Sequence, residues 1–246
     1  MSYPRKRNLY NPSDKEPFKL SRSKIELFLE CPRCFYLDRK LGIARPGGFP
    51  FTLNNAVDFL LKKEFDSHRA KGQAHPLMEH YNIKAVPFAH PDLNRWRENF
   101  VGLQYHHPAT NLIITGAVDD VWINDKKELI VVDYKATSTS NEISLDDEYR
   151  ESYKRQLEIY QWLLRKNGFK VSDTGYFVYC NGNRDKEAFD AKLEFEVQII
   201  AYNGNGAWVE QAIIEAYQCL IENQLPEANP DCEYCQYRET AQEAEK

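Results

Sequence analysis

Residues 131–137, VVDYKAT, set an acid two positions before a lysine inside an apolar run. Side chains alternate along a strand, so Asp133 and Lys135 share one face while Val132 and Tyr134 share the other. An isolated ion pair on a buried face costs more in desolvation than its attraction returns. The pair is therefore either a satisfied salt bridge at a sheet end or a site, and the flanking sequence has to decide.

Upstream, NLIITGAVDDVWI (111–123) and ELIVVDYKAT (128–137) read as two strand runs joined by a hairpin turn at NDKK. Asp119 and Asp120 then point to opposite faces, and a paired hairpin lets Asp119 approach Asp133. Adjacent carboxylates repel unless a proton or cation intervenes, and Mg²⁺ suits such a place because it takes one or two carboxylates and keeps water and phosphate oxygens. Lys135 beside them can polarise a water or offset charge on a phosphate. Asp120, Asp125 and Glu128 are read as scattered surface acids.

Further out, a long helix is expected over about 146–167, ending at Asn167-Gly168, then strands at TGYFVYC (174–180) and KLEFEVQIIAY (192–202), and a last helix over about 207–223 before Pro226. On the N-terminal side, residues 1–20 read as an irregular arm carrying Arg5, Lys6 and Arg7. Ser23 and Glu26 fit a capping box for a first helix with Ile25, Leu27, Phe28 and Leu29 as its apolar surface, which Pro32 ends near Cys31. After the loop at 44–50, a second helix over about 53–70 spaces Val57, Leu61 and Phe65 four apart, and 74–94 reads as a loop-dominated connection. The order helices, strands, long helix, strands, helix gives an α/β (mixed α+β) fold with a mixed sheet flanked by helices.

The chain has 246 residues, 42% of them apolar and 28% charged, in the range of soluble globular proteins. No apolar run approaches the ~18 residues of a membrane span and MSYPRKRNLY lacks a signal-peptide apolar core, so a cytoplasmic protein with no membrane association is expected. A net charge of −5 argues against a protein that coats nucleic acid by bulk positive charge, but not against one that binds it locally. Of six cysteines, Cys180 and Cys219 lie singly in apolar patterns and read as buried hydrophobes. The others form two C-x-x-C pairs, Cys31/Cys34 and Cys232/Cys235, whose spacing suggests metal or redox chemistry. A thioredoxin-like pair is disfavoured because neither C-x-x-C is expected to open a helix within a βαβ unit.

G-x-V-D at 116–119, D-Y-K at 133–135 and Q-L-E-I-Y at 156–160 together resemble the successive motifs of the PD-(D/E)XK nuclease superfamily, most closely its RecB-like branch, over about residues 21–238. That branch includes the AddB nuclease domain and CRISPR-associated RecB-like exonucleases. The resemblance implies a restriction-endonuclease-like central sheet, with Asp119 and Asp133 binding Mg²⁺ or Mn²⁺ and Lys135 assisting phosphodiester hydrolysis. Gln156 and Tyr160, on one helical face with Tyr153, would help hold substrate. The branch usually carries a histidine ligand on the helix before the strands; in LNNAVDFLLKKEF (53–65) Asp58 stands there, a harder ligand for Mg²⁺.

Several RecB-like nucleases hold an iron–sulfur cluster with one early cysteine and three late ones. CPRCFYL and CEYCQYRETA resemble their two segments, but Ala241 stands where the last cysteine would fall and Cys34 is added. Four thiolates in two pairs suit a 4Fe–4S cluster, favoured by the resemblance, or Zn²⁺; either would clamp the chain ends. The domain reading is an arm (1–20), a nuclease-like domain with the four-Cys site (21–238) and a polar tail (239–246). The functional expectation is a Mg/Mn-dependent DNA nuclease, an exonuclease on single-stranded or duplex ends in repair, recombination or CRISPR adaptation, partnered by a helicase or by CRISPR adaptation proteins. The alternative is a catalytically inactive nuclease-like DNA-binding or scaffold subunit of a helicase–nuclease complex.

Overall fold

The computed structural model describes residues 4–48, 52–147 and 150–246. The first three residues of the expected arm, the end of the 44–50 loop and positions 148–149 of the expected long helix lie outside them. In chain order the first elements are β1 (Phe18–Ser21), α1 (Arg22–Glu30), α2 (Pro32–Arg39), α3 (Thr52–Arg69), α4 (Pro76–His80), β2 (Ala85–Pro87), α5 (Leu93–Trp96), β3 (Leu103–His107) and β4 (Leu112–Gly116). Then follow β5 (Asp120–Asn124), β6 (Leu129–Thr137), α6 (Glu151–Lys166), β7 (Thr174–Gly182), β8 (Phe195–Asn203), α7 (Val209–Ile221) and α8 (Glu233–Ala244).

These elements form two compact units. One, built from Pro50–Leu103 and Gly116–Gly206, holds a five-stranded mixed sheet in the order β2-β5-β6-β7-β8. The expected hairpin is present: β5 and β6 are antiparallel, with Asp120 opposite Val132 and Ile123 opposite Leu129. Its turn is tied by Asn124, whose Oδ1 accepts from the amides of Lys126 at 3.0 Å and Glu128 at 2.9 Å. β6 and β7 are parallel, and α6 is the crossover that a parallel pair needs. On one face Leu61 and Phe65 of α3 pack on Trp122, Val132, Tyr134 and Val178, all buried. Each such side chain contributes about 1.5–3 kcal/mol through burial. On the other face α6 covers β6 and β7: Gly175 leaves room for Leu157, whose Cδ2 would lie 2.8 Å from a Cβ there.

The other unit comprises Met1–Phe49, Gln104–Thr115 and Ala207–Lys246. β1 runs parallel to β4, Phe18 opposite Leu112, with β3 on the far side of β4. α1 and α2 pack on each other and on α7, burying Ile25, Phe35, Ile213 and Leu220. Asp38, with no exposed surface, is held by Lys24 at 2.5 Å, Arg5 at 3.1 Å and Arg39 at 3.1 Å. Burial pushes its carboxyl up, but the hydrogen bonds and charges of Lys24 and Arg39 outweigh that and hold it below the usual carboxylate range.

Several expectations are corrected. The run 111–123 is not one strand: it breaks after Gly116, and β4 and β5 belong to different sheets. At the break the chain presses on Tyr160, whose ring would lie 2.6 Å from a Cβ at Gly116, and the Val118 amide donates to the Trp96 carbonyl. Ser23 does not cap α1; Ser21 is the N-cap, without a side-chain cap bond, and its hydroxyl meets that of Ser23 at 3.0 Å. Residues 18–20 of the arm are strand, and the 74–94 connection contains α4, the edge strand β2 and the start of α5. Residues 239–244 of the tail continue α8. Both C-x-x-C pairs open helices, Cys31 as N-cap of α2 and Cys232 as N-cap of α8, although neither helix lies in a βαβ unit.

Candidate functional site

Asp133 and Lys135 point from β6 toward α6, as the alternation requires. Asp133 has no exposed surface and ion-pairs with Lys135. Gln156, one turn into α6, donates through Nε2 to Asp133 Oδ1 at 2.8 Å and to the Tyr160 hydroxyl at 3.1 Å. Its Oε1 lies 3.5 Å from Lys135 Nζ, which also stands 4.3 Å from the centroid of the Tyr153 ring. The i, i+4 spacing on α6 therefore aims Gln156 and Tyr160 at the same carboxylate.

The hairpin register continues past Asp120 to set Asp119 beside Asp133. Asp119 Oδ2 accepts from the Tyr134 amide at 3.0 Å. Burial, with Asp119 alongside, outweighs Lys135 and pushes the Asp133 carboxyl up to about 7. Burial depresses the Lys135 ammonium, but the charges of Asp133 and Asp119 more than restore it. Asp133 Oδ2 is buried and receives no hydrogen bond of acceptable geometry; the ion pair with Lys135 is a close approach of charges, not an aligned donor. A buried carboxylate oxygen with no aligned hydrogen bond, next to a second carboxylate, is the hard-oxygen donor set that fits Mg²⁺ or Mn²⁺.

Asp58 enters through an intermediary. Lys62, one turn on along α3, reaches Asp58 Oδ2 at 2.8 Å and Asp119 Oδ1 at 3.3 Å. Burial and the neighbouring Asp119 push the Asp58 carboxyl up despite that ammonium. Asp119, Lys135 and Tyr153 line, with Asp58, Lys62 and Arg97, a cleft of about 680 Å³. Among the described residues, the three carboxylates are not gathered as tightly as the thiols: only Cys31, Cys34, Cys232 and Cys235 form a metal-type group within 4.8 Å.

Sequence reading missed two features. Lys62 was signalled only by its i+4 spacing from Asp58. Asp120 is not a surface acid but a fully buried hub. It accepts from Arg69, from Arg97 at 2.7 Å, from the Tyr134 hydroxyl at 2.8 Å and from Trp122 Nε1 at 3.3 Å. Arg97 also donates through Nε to the Asp119 carbonyl at 2.9 Å, which fixes the backbone of the cleft acid. Asp125 is exposed and Glu128 bonds Asn124 and Lys170 near the turn, as surface acids should. Among the histidines, His75 meets Glu64 at 2.8 Å and His107 meets Glu210 at 2.8 Å.

The four-Cys group is buried, and all six cysteines are free thiols. Burial pushes Cys34 and Cys235 up, whereas at Cys31 the amides of Cys34 and Asn229 outweigh burial and bring the thiol down to about 7. Soft thiolate donors at two helix N-termini fit a bound metal and join residues 31–34 to 232–235, so the two segments are clamped. Cys180 is buried as expected and Cys219 partly so.

No curated protein matches the chain. A solved structure described as "Crystal structure of SSO0001" shares 16% identity at a TM-score of 0.41, over 93% of this chain and 86% of that one. The family model for the PD-(D/E)XK nuclease superfamily matches residues 52–240. That span contains the G-x-V-D, D-Y-K and Q-L-E-I-Y segments, and the chain belongs to the PD-(D/E)XK nuclease superfamily.

Proposed function

We propose that the chain is a metal-dependent DNA nuclease of the RecB-like branch, an exonuclease that hydrolyses phosphodiester bonds at DNA ends in the cytoplasm. Members of the superfamily are generally metal-dependent nucleases. The observation that carries the reading is the fully buried Asp133 carboxylate beside Asp119, with Oδ2 ion-paired to Lys135 and Oδ1 fixed by Gln156. Asp119 and Asp133 would hold Mg²⁺ or Mn²⁺, with Asp58 reached when Lys62 gives way. The bound ion supplies Lewis acidity and a more acidic water. Lys135 offsets the negative charge that grows on the phosphate oxygens and orients the attacking water; its place over Tyr153 keeps the ammonium at the cleft wall. Gln156 and Tyr160 hold Asp133 in place, and Tyr153 offers a ring to the nucleotide. The exonuclease role, with helicase or CRISPR adaptation proteins as partners, rests on the order of the motifs.

The test is cleavage of 5′- and 3′-end-labelled single- and double-stranded DNA with Mg²⁺ or Mn²⁺. Wild type should release short products from an end, and Asp133→Ala and Lys135→Ala should each lose on the order of 10²-fold or more with the fold retained. Equal cleavage by wild type and both variants, or DNA binding with no cleavage under any metal, refutes the catalytic reading.

A further inference from the structure

The distances between the four sulfurs discriminate between the two centres that four thiolates can hold. Cys31 and Cys235 Sγ are 3.8 Å apart, Cys34 and Cys232 3.6 Å, and Cys34 and Cys235 3.7 Å. All four ligand atoms lie within 4.8 Å of one another. A tetrahedral ion with metal–sulfur bonds of ~2.3 Å sets its sulfurs about 3.8 Å apart, the bond length multiplied by the ratio of edge to radius in a tetrahedron. In a four-iron cluster each thiolate binds a different corner, and the irons and sulfides between them hold the thiolates about 6 Å apart. Sulfurs already near contact enclose room for one ion and none for a cube.

The chain agrees with the distances. The late segment lacks the third cysteine, with Ala241 in its place, and the extra thiol is Cys34, one helical turn after Cys31. Two C-x-x-C pairs of equal spacing, each opening a helix, offer two sulfurs apiece to one point. Arg45 stands at this point, Nη2 3.4 Å from Cys232 Sγ and its guanidinium 4.5 Å from the Tyr234 ring centroid. It offsets part of the charge that four thiolates leave on a divalent ion. We infer that Cys31, Cys34, Cys232 and Cys235 hold a single tetrahedral zinc ion in place of an iron–sulfur cluster.

The ion is a structural element of its own unit, so the inference does not depend on cleavage activity. The experiment is metal and acid-labile sulfide analysis of the full chain purified anaerobically from cells supplied with both iron and zinc, followed by X-ray absorption at the metal edge. The expected result is colourless protein with one zinc per chain, no sulfide, and a shell of four sulfurs at ~2.3 Å without a metal–metal contribution. Brown protein with iron and sulfide in equal amounts overturns the inference, as does iron without sulfide, or metal-free protein whose four thiols react freely. As a second measurement, Cys34→Ser should release its metal to a chelator about tenfold or more faster than wild type. Asp133→Ala should keep its zinc whatever happens to cleavage, which separates failure of this inference from failure of the nuclease reading.

Discussion

Replacing Asp120 by Ala should cost about 3–5 kcal/mol, the range for removing one member of a buried charge network. The carboxylate has no exposed surface, and the side chains of Arg69 and Arg97 that face it are 9% exposed. In the variant the Tyr134 hydroxyl, Trp122 Nε1 and one arm of each guanidinium lose their acceptor in a site that water does not reach. Arg97 keeps Asp66, with Nη1 2.9 Å from each carboxylate oxygen, but Asp66 is 43% exposed and only partly compensates. Asp120→Asn keeps the shape and one acceptor while losing the charge, and should fall at about half the cost. For a chain of this size each kcal/mol lowers Tm by about 2–4 °C, so Asp120→Ala should melt roughly 6–20 °C below wild type. The assay is urea unfolding and thermal melting by circular dichroism, with Asp66→Ala as control; its carboxylate is 43% exposed, so its loss should cost about 1 kcal/mol and well below that of Asp120. A loss below about 1 kcal/mol in Asp120→Ala, or equal losses in the two variants, would refute the hub.

Two further outcomes test the packing and the electrostatics. Gly116→Ala sets a methyl 2.6 Å from Tyr160 Cε1 and 3.1 Å from Leu163 Cδ1, and should destabilise by about 1–3 kcal/mol, with Gly168→Ala, at an open position, as the strained-turn comparison; unchanged Tm in Gly116→Ala sinks the close approach. Asp38 has its folded-state carboxyl held below the unfolded value, so its contribution is complete above about pH 4, the unfolded value, and fades as pH falls through the lower folded one. The stability difference between wild type and Asp38→Asn, from urea unfolding at successive pH values, should therefore be largest near neutrality and shrink below about pH 4; a difference that grows on acidification contradicts the sign.

What the sequence disclosed was what local pattern controls. The hairpin from Asp120 to Thr137 was legible because both strands are short apolar runs and Asn124 supplies the turn chemistry between them. The face shared by Asp133 and Lys135, and the turn that joins Gln156 to Tyr160, follow from strand and helix periods alone. What stayed hidden depends on tertiary partners. Nothing local says that Gly116 meets an aromatic ring some forty positions on, so the strand break was invisible. Pro32 was read as a stop to α1, but the same residue at the first position of α2 is a start, which is why the helix opened by Cys31 went unseen. The short strand β2 ends in a proline and carries its pairing at a sheet edge, where pattern is weakest.

The Asp119-Asp120 doublet shows why one acid in a pair can be chemistry and the other architecture. Alternation sends the two side chains to opposite faces, so a single strand start serves both a cleft and a core. Tyr134 links them: its amide donates to Asp119 Oδ2 at 3.0 Å and its hydroxyl to Asp120 Oδ2 at 2.8 Å. Arg97 links them again, holding the Asp120 carboxylate with one nitrogen and the Asp119 carbonyl with another. A slip of one residue between β5 and β6 would swap the acids and turn Trp122 away from Phe65 and Tyr176, on which its ring stacks. The buried acid and its arginines therefore penalise the wrong register twice, through unpaired charge and through lost aromatic packing. The cleft acid is fixed by the same two residues that hold the buried acid, the kind of support that a precise site requires.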